Sequence, residues 1–310
     1  MLFNKFESTA KKYPTKIALN NLTYTELLNK VKNTEYSPIC YATDYTVIID
    51  ILVAARLNKS IVILPKFNRD QINIPTELPS SFNIILYSSG STGSRKEICL
   101  PESMIMANAL TAIDCQNITC NDVILTVCSL NHTGGINAQT IAGLLAGSTV
   151  VVEPFNPFGF FKIINTRKIT LTHLIPVMID ALIKINSSDS VNHLRLVVAG
   201  SDCVFKHHVE FWNNKGINFM SNYGMSEAGP VVVNHMFKPK DPLVMFDNGV
   251  PLGDVKHLNY KIKDGELFLK GPAVNIDDWL ATGDCVEEIS GWLYYKGRKS
   301  AGCTIIPKKY

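Results

Sequence analysis

The 310-residue sequence has no run of about 18 apolar residues, the length that a membrane-spanning helix needs. Its opening, MLFNKFESTAKKYP, is charged and polar within its first turns. It lacks the apolar centre of a secretory signal, which points to a cytoplasmic protein. None of the 8 cysteines stands in a C-x-x-C pair, and several lie in apolar stretches such as ILTVCSL. That argues for reduced thiols and against a zinc site or a disulfide frame. Charge of one sign is also scarce: 30 Lys+Arg against 27 Asp+Glu leave a dispersed +3, with no basic stripe for nucleic acid. There are no internal repeats and no low-complexity segment. What remains is an ordinary globular composition, 46% hydrophobic and 18% charged. The length allows two or three domains, or one large α/β unit with lobes.

Periodicity gives a rhythm of helices and strands. Helical spacing falls on residues 23–33 and 45–59, followed by a short buried strand at 60–65 and a polar, proline-bearing connector. Residues 82–89 (FNIILYSS) are rich in β-branched and aromatic side chains and predict a strand. The alternation continues with a helix at 101–115, a strand at 122–130, a helix at 137–148 and strands at 149–154, 169–176, 194–200 and 217–224, with helices between the later ones. Strands alternating with helices imply parallel, helix-covered sheets. After about residue 240 the pattern changes. NYKIKDGELFLKG and GWLYYKGR predict antiparallel hairpins with glycine turns. The expected fold class is α/β: helix-covered, largely parallel sheets in two α/β lobes, with a small β-rich lobe at the C-terminal end. The expected division is a body over 1–240, the β-rich lobe over 241–298, and a tail over 299–310.

Three segments carry chemistry. In YSSGSTGSRK (87–96) a strand runs into a loop with two glycines. Glycines let backbone N–H groups approach an anion; the hydroxyls of Ser88, Ser89, Ser91 and Thr92 donate further hydrogen bonds, and Lys96 adds a point charge. Two residues separate Gly90 from Gly93, so this is not the Walker spacing. A plain surface loop has the same composition. In SNYGMSEAG (221–229) a tyrosine able to stack on a purine precedes a glycine and then Glu227, a carboxylate suited to hydrated Mg²⁺. A packed tyrosine in a turn fits equally. In WLATGDCVEEISGWLYYKGRKS (279–300) Asp284 can accept both hydroxyls of a ribose, with Arg298 beyond the next hairpin; an Asx-type turn is the alternative.

In this order, together with LRLVVAGSD (194–202) and GELFLKGPAV (265–274), the segments resemble the adenylate-forming superfamily of acyl- and aryl-CoA synthetases, luciferases and peptide-synthetase adenylation domains. The pattern is nearest to o-succinylbenzoyl-CoA ligase-like members, and the motif matches run from Tyr87 to Arg298. The resemblance implies an ATP-dependent, AMP-forming acid ligase that turns a carboxylic acid into an acyl-adenylate and releases pyrophosphate. ATP and Mg²⁺ are the implied cofactors. The phosphates would sit on Ser88, Ser89, Gly90, Ser91, Thr92, Gly93 and Lys96, adenine on Asn222, Tyr223 and Gly224, the ribose on Asp284 and Arg298, and Mg²⁺ on Glu227. Ser226 stands where threonine is commoner, and Lys96, Ser226, Glu227 and Arg298 would carry the catalysis.

The resemblance also implies departures and a substrate class. His132, Gly135, Gly200 and Met225 would border the acid pocket. A histidine at 132, where amino-acid-activating relatives have aspartate, points to an acyl or aryl acid; His132 reads equally as a structural histidine at a strand end. Residues 299–310 are a stub where relatives begin a lid domain, so CoA transfer is in doubt. A lid domain in trans or an acyl carrier protein is the partner this allows. A second reading is a non-catalytic module that binds nucleotide or acyl-adenylate.

Overall fold

The computed structural model describes residues 1–66, 72–87, 96–185, 190–243, 249–274 and 276–301. They form an α/β fold with two helix-covered, largely parallel sheets and a small antiparallel sheet at the C-terminal end. The largest sheet has nine strands among the described residues. In spatial order they are Asp254–Val255, Gly229–Phe237, Asn218–Met225, Leu196–Ala199, Leu171–Leu174, Val123–Thr126, Thr149–Val152, Ile17–Leu19 and Leu22–Thr23. From Asn218–Met225 across to Ile17–Leu19 the strands run parallel, and both edges are antiparallel.

Leu171–Leu174 and Leu196–Ala199 are buried at every position. Helices on both faces of a parallel sheet demand this. Because successive side chains point to opposite faces, one strand feeds two cores. Leu196 and Val198 join Leu27, Ile51 and Ile105 from helices Tyr24–Asn33, Thr46–Leu57 and Glu102–Cys115. Val197 and Ala199 join Phe160, Leu182 and Trp212 from helices Phe160–Thr166, Pro176–Ile185 and Lys206–Asn213.

The second sheet pairs Ile39–Tyr41, Ile61–Leu64 and Asn83–Tyr87 in parallel, then Glu97–Pro101 antiparallel. Tyr87 lies opposite Glu97. The third sheet pairs Asn259–Lys263, Glu266–Lys270, Leu280–Ile289 and Trp292–Arg298, all antiparallel. Two of its turns are Asp264-Gly265 and Ser290-Gly291. All four residues have positive φ, from 51° to 82°, the conformation that a two-residue hairpin with right-handed strand twist requires. The Leu252 N–H donates to the Leu293 carbonyl at 2.7 Å and fastens this sheet to the large one.

Several details differ from the periodicity. The stretch 122–130 yields a strand only at Val123–Thr126, and 137–148 splits into short helices Thr133–Asn137 and Thr140–Ala146. The strands Glu97–Pro101 and Gly229–Phe237, and the helix Leu2–Lys12, have no counterpart in the sequence reading. Cys40, Cys99, Cys115, Cys120, Cys128 and Cys203 are reduced thiols, as expected, whereas Cys285 is disulfide-bonded. No helix among the described residues is long and apolar enough to cross a membrane.

Candidate functional site

Where the C-terminal ends of the parallel strands meet the small sheet there is a cavity of about 290 Å³. Ligands of open parallel sheets bind at this end of the strands. Its wall includes Ser201, Asn222, Tyr223, Gly224, Asp284 and Arg298. Asn222, Tyr223 and Gly224 lie on the Asn218–Met225 strand of the large sheet. Asp284 and Arg298 come from the small sheet, where they sit directly opposite each other in the hairpin register. Residues some sixty positions apart in the chain thus share one wall because two sheets converge there.

The polar groups of this wall are incompletely paired. The Tyr223 hydroxyl donates to Asp284 Oδ2 at 2.7 Å. Arg298 Nε stands 3.0 Å from Asp284 Oδ1, and Arg298 Nη1 donates to the Thr282 carbonyl at 3.2 Å. The Nε–H is not aligned on Oδ1, which accepts no hydrogen bond although Asp284 is only 3% exposed. Burial pushes the Asp284 carboxyl above its ordinary pKa, against the pull of the Tyr223 hydroxyl and the Arg298 charge. Burial and the neighbouring Asp284 also push the Tyr223 phenol up, so it stays a neutral donor. Asn222 Nδ2 donates to the Pro230 carbonyl at 3.0 Å, while its buried Oδ1 accepts nothing. A buried acceptor without a donor costs about 1–3 kcal/mol, so two of them on one cavity wall suit a ligand rich in N–H and O–H groups.

Glu227 occupies the turn that joins strands Asn218–Met225 and Gly229–Phe237, with Ser226 beside it. Lys96 approaches from the start of the Glu97–Pro101 strand, and its Nζ donates to Glu227 Oε1 at 2.9 Å. The pair is partly solvated, at 67% and 29% exposure, so its own contribution to stability is small. It brings a cation suited to phosphate and an oxygen donor suited to Mg²⁺ to one place. Ser88, Ser89, Gly90, Ser91, Thr92 and Gly93 lie outside the described residues.

The four residues expected at an acid pocket stand outside the wall of the cavity. His132 is exposed at the N-cap position of the Thr133–Asn137 helix. A Cβ on Gly135 would collide with the Ser129 carbonyl oxygen, and one on Gly200 with the Asn222 carbonyl oxygen. Both glycines therefore permit close backbone approach rather than opening space. Met225 is half-buried at the end of its strand. The link to the cavity runs through Gly134, whose absent Cβ would point at His173 Cε1 (3.3 Å) and at Ser201 Oγ (3.9 Å). His173 has no sequence signal, being one polar residue in the buried strand Leu171–Leu174. Burial pushes its pKa down to about 4, so it is neutral, and Cys128 Sγ lies 3.8 Å from its Nδ1.

Comparison with known proteins agrees with this fold. The chain belongs to the family described as AMP-binding enzyme, which matches residues 42–275. Among curated proteins it is similar to the indoleacetate–CoA ligase of Aromatoleum aromaticum, 30% identical over 249 residues, covering 71% of this chain and 48% of that protein. It is also similar to a 4-coumarate–CoA ligase of Pinus taeda, 27% identical over 241 residues, covering 70% and 44%. The chain thus spans about half the length of the curated relatives it matches. Among solved structures, o-succinylbenzoate CoA synthetase from Bacillus subtilis, in complex with its acyl-adenylate intermediate, superposes with a TM-score of 0.79 at 19% identity, covering 95% of this chain and 99% of that one. The inhibitor-bound N-terminal domain of FACL13 from Mycobacterium tuberculosis gives 0.79 at 13% identity, covering 96% and 99%. At these identities the two structures establish the shared fold.

Proposed function

We propose that this chain activates an acyl or aryl carboxylic acid with ATP. The acid's carboxylate oxygen attacks the α-phosphorus, the bond from that phosphorus to the bridging oxygen breaks, and pyrophosphate leaves with the bonding electrons. The product is a mixed acyl–AMP anhydride. The observation that carries the reading is Asp284: a buried carboxylate, held by Tyr223 and flanked by Arg298, with one oxygen that accepts no hydrogen bond. Such an oxygen is matched to a ribose hydroxyl, and a charge-assisted hydrogen bond of this kind contributes about 1.5–3 kcal/mol.

We assign the other roles as the resemblance to adenylate-forming enzymes implies them. Asn222 Oδ1 takes the exocyclic amine of adenine, while Tyr223 and Gly224 flank the ring. Lys96 and the Ser88–Gly93 loop receive the phosphates, with Ser226 at the edge of the transferring group. Glu227 is the oxygen donor for Mg²⁺, which when bound neutralises charge on the polyphosphate. Acceleration in such a site comes from positioning and charge neutralisation, since the protein forms no bond to the substrate. His132, at the N-cap of the Thr133–Asn137 helix, borders the acid, with Gly135, Gly200 and Met225 behind it. The curated relatives are named for indoleacetate and 4-coumarate, which supports an aryl or acyl acid over an amino acid. Residues 1–240 act as the nucleotide-binding body and 241–298 as the lobe that carries Asp284 and Arg298. A lid domain or an acyl carrier protein completes the transfer, in the cytoplasm where ATP is abundant.

Acid-dependent exchange of labelled pyrophosphate into ATP tests the proposal, with a panel of aryl and aliphatic acids. Exchange with at least one acid is expected. Intact AMP binding with no exchange across the panel would leave a nucleotide-binding module instead.

A further inference from the structure

Behind the cavity wall a second buried carboxylate meets the Asp284 turn. Glu266 begins the strand Glu266–Lys270 and is 5% exposed. In the register with Leu280–Ile289, Glu266 pairs with Cys285 and Phe268 with Ala281. Two steps on one strand therefore face four on the other, and Thr282, Gly283 and Asp284 fall in the resulting bulge. Bulges leave backbone groups without ladder partners. Here they are satisfied from outside the ladder. The Gly283 N–H donates to Glu266 Oε1 at 3.0 Å. The Thr282 hydroxyl donates to the Leu267 carbonyl at 2.7 Å and accepts from the Asp284 N–H at 3.1 Å. Gly283 has φ +71°, the left-handed conformation that suits glycine and fixes the direction in which Asp284 leaves the turn.

The second oxygen of Glu266 is held elsewhere. Lys299 Nζ donates to Glu266 Oε2 at 2.6 Å. Lys299 directly follows Arg298, so two consecutive cations reach two carboxylates on either side of Gly283: Arg298 to Asp284, and Lys299 to Glu266. We infer that Glu266 is a positioning residue for nucleotide binding, holding the bulge that aims Asp284 into the cavity, and that Lys299 is needed to neutralise it. The inference rests on the reading that Asp284 takes the ribose.

The electrostatics agree in direction. The Lys299 ammonium holds the Glu266 carboxyl below the usual range. The Glu266 charge in turn raises the Asp284 carboxyl. The charged and titratable groups that act on Asp284 are the Tyr223 hydroxyl, Arg298 and Glu266, and Asp284 itself raises the Tyr295 phenol. Removing Lys299 leaves the Glu266 charge uncompensated beside Asp284. Asp284 then holds its proton to a higher pH, and a protonated carboxyl accepts ribose hydroxyls poorly.

The test is AMP binding to the full chain by calorimetry between pH 5 and 8, with thermal unfolding of every variant. Lys299→Met removes a side chain that is 57% exposed and is expected to leave the fold intact. It is expected to weaken AMP binding about threefold to tenfold at pH 7 and to move the acid limb of binding to higher pH. Adding Glu266→Gln removes the charge, keeps an acceptor for the Gly283 N–H, and returns both affinity and acid limb towards wild type. Adding Glu266→Ala instead leaves that N–H without an acceptor and holds the loss at about tenfold, the size of one charge-assisted hydrogen bond. Lower melting temperatures with unchanged affinity and an unmoved acid limb would make the pair purely structural and overturn the inference. An unchanged AMP affinity in Asp284→Ala, measured alongside, would overturn the ribose reading itself.

Discussion

Two buried aspartates, each beside an arginine, differ in how fully their oxygens are hydrogen-bonded. Asp122 lies in the α/β body and Asp284 in the small sheet, and they are 4% and 3% exposed. Every oxygen of Asp122 is used. Oδ1 accepts from Thr170 Oγ1 at 2.7 Å and Arg195 Nε at 2.8 Å; Oδ2 accepts from the Thr119 N–H at 2.8 Å and Arg195 Nη2 at 3.0 Å. The same arginine donates to the carbonyls of Gln116 and Asn117. Those hydrogen bonds outweigh burial and lower the Asp122 carboxyl, whereas burial prevails at Asp284 and raises it. Burial and an arginine partner are common to both. What separates structure from site is whether the acceptors are satisfied.

The largest expected effect is on stability. Asp122→Asn leaves Arg195 and the 119–122 turn short of an acceptor and is expected to cost about 3 kcal/mol, read by denaturant unfolding, with AMP affinity of the folded protein unchanged. Replacing Asp284 is expected to do the opposite. Next comes pH. A carboxyl lowered by folding stabilises the fold above its unfolded value and loses that contribution as pH falls through the folded value. Asp122 thus adds to acid lability, and Asp122→Asn flattens the fall in melting temperature towards low pH. A raised carboxyl stabilises below its unfolded value and loses the contribution as pH rises through the folded one, so Asp284 weighs against the ligand-free fold at neutral pH. The smallest effect concerns the acid. His132→Ala is expected to change the preference between aryl and aliphatic acids about fivefold in pyrophosphate exchange, the equivalent of about 1 kcal/mol, with AMP affinity held. A lost fold would make His132 structural.

Much of this was legible in the sequence where the signal is local. Buried parallel strands such as Ile61–Leu64, Asn83–Tyr87 and Leu196–Ala199 read as continuous apolar runs because both of their faces are covered. Asp264-Gly265 and Ser290-Gly291 announce their hairpins. The missed strands carry turn residues: Gly229–Phe237 opens Gly-Pro, and Glu97–Pro101 begins with a charge and ends in proline. Nor does order along the chain reveal that Ile17–Leu19 pairs with Thr149–Val152, with the whole second sheet falling between them. Asp284 and Arg298 could be picked out as residues, but their meeting depends on hairpin register. Glu266 could not, because its role comes from a bulge two strands wide. Unpaired acceptors on Asn222 and Asp284 are properties of packing alone.

The most direct measurement is AMP binding and unfolding of Asp284→Asn beside Asp122→Asn, both at pH 7. Asp284→Asn should weaken AMP by about 2–4 kcal/mol, since a neutral amide replaces a charged acceptor of two hydroxyls. It should also leave the ligand-free protein as stable as wild type or more so, with that difference closing as pH falls and Asp284 takes up its proton. Unchanged AMP affinity together with a stability loss like that of Asp122→Asn would show that Asp284 is a second structural aspartate and contradict the account.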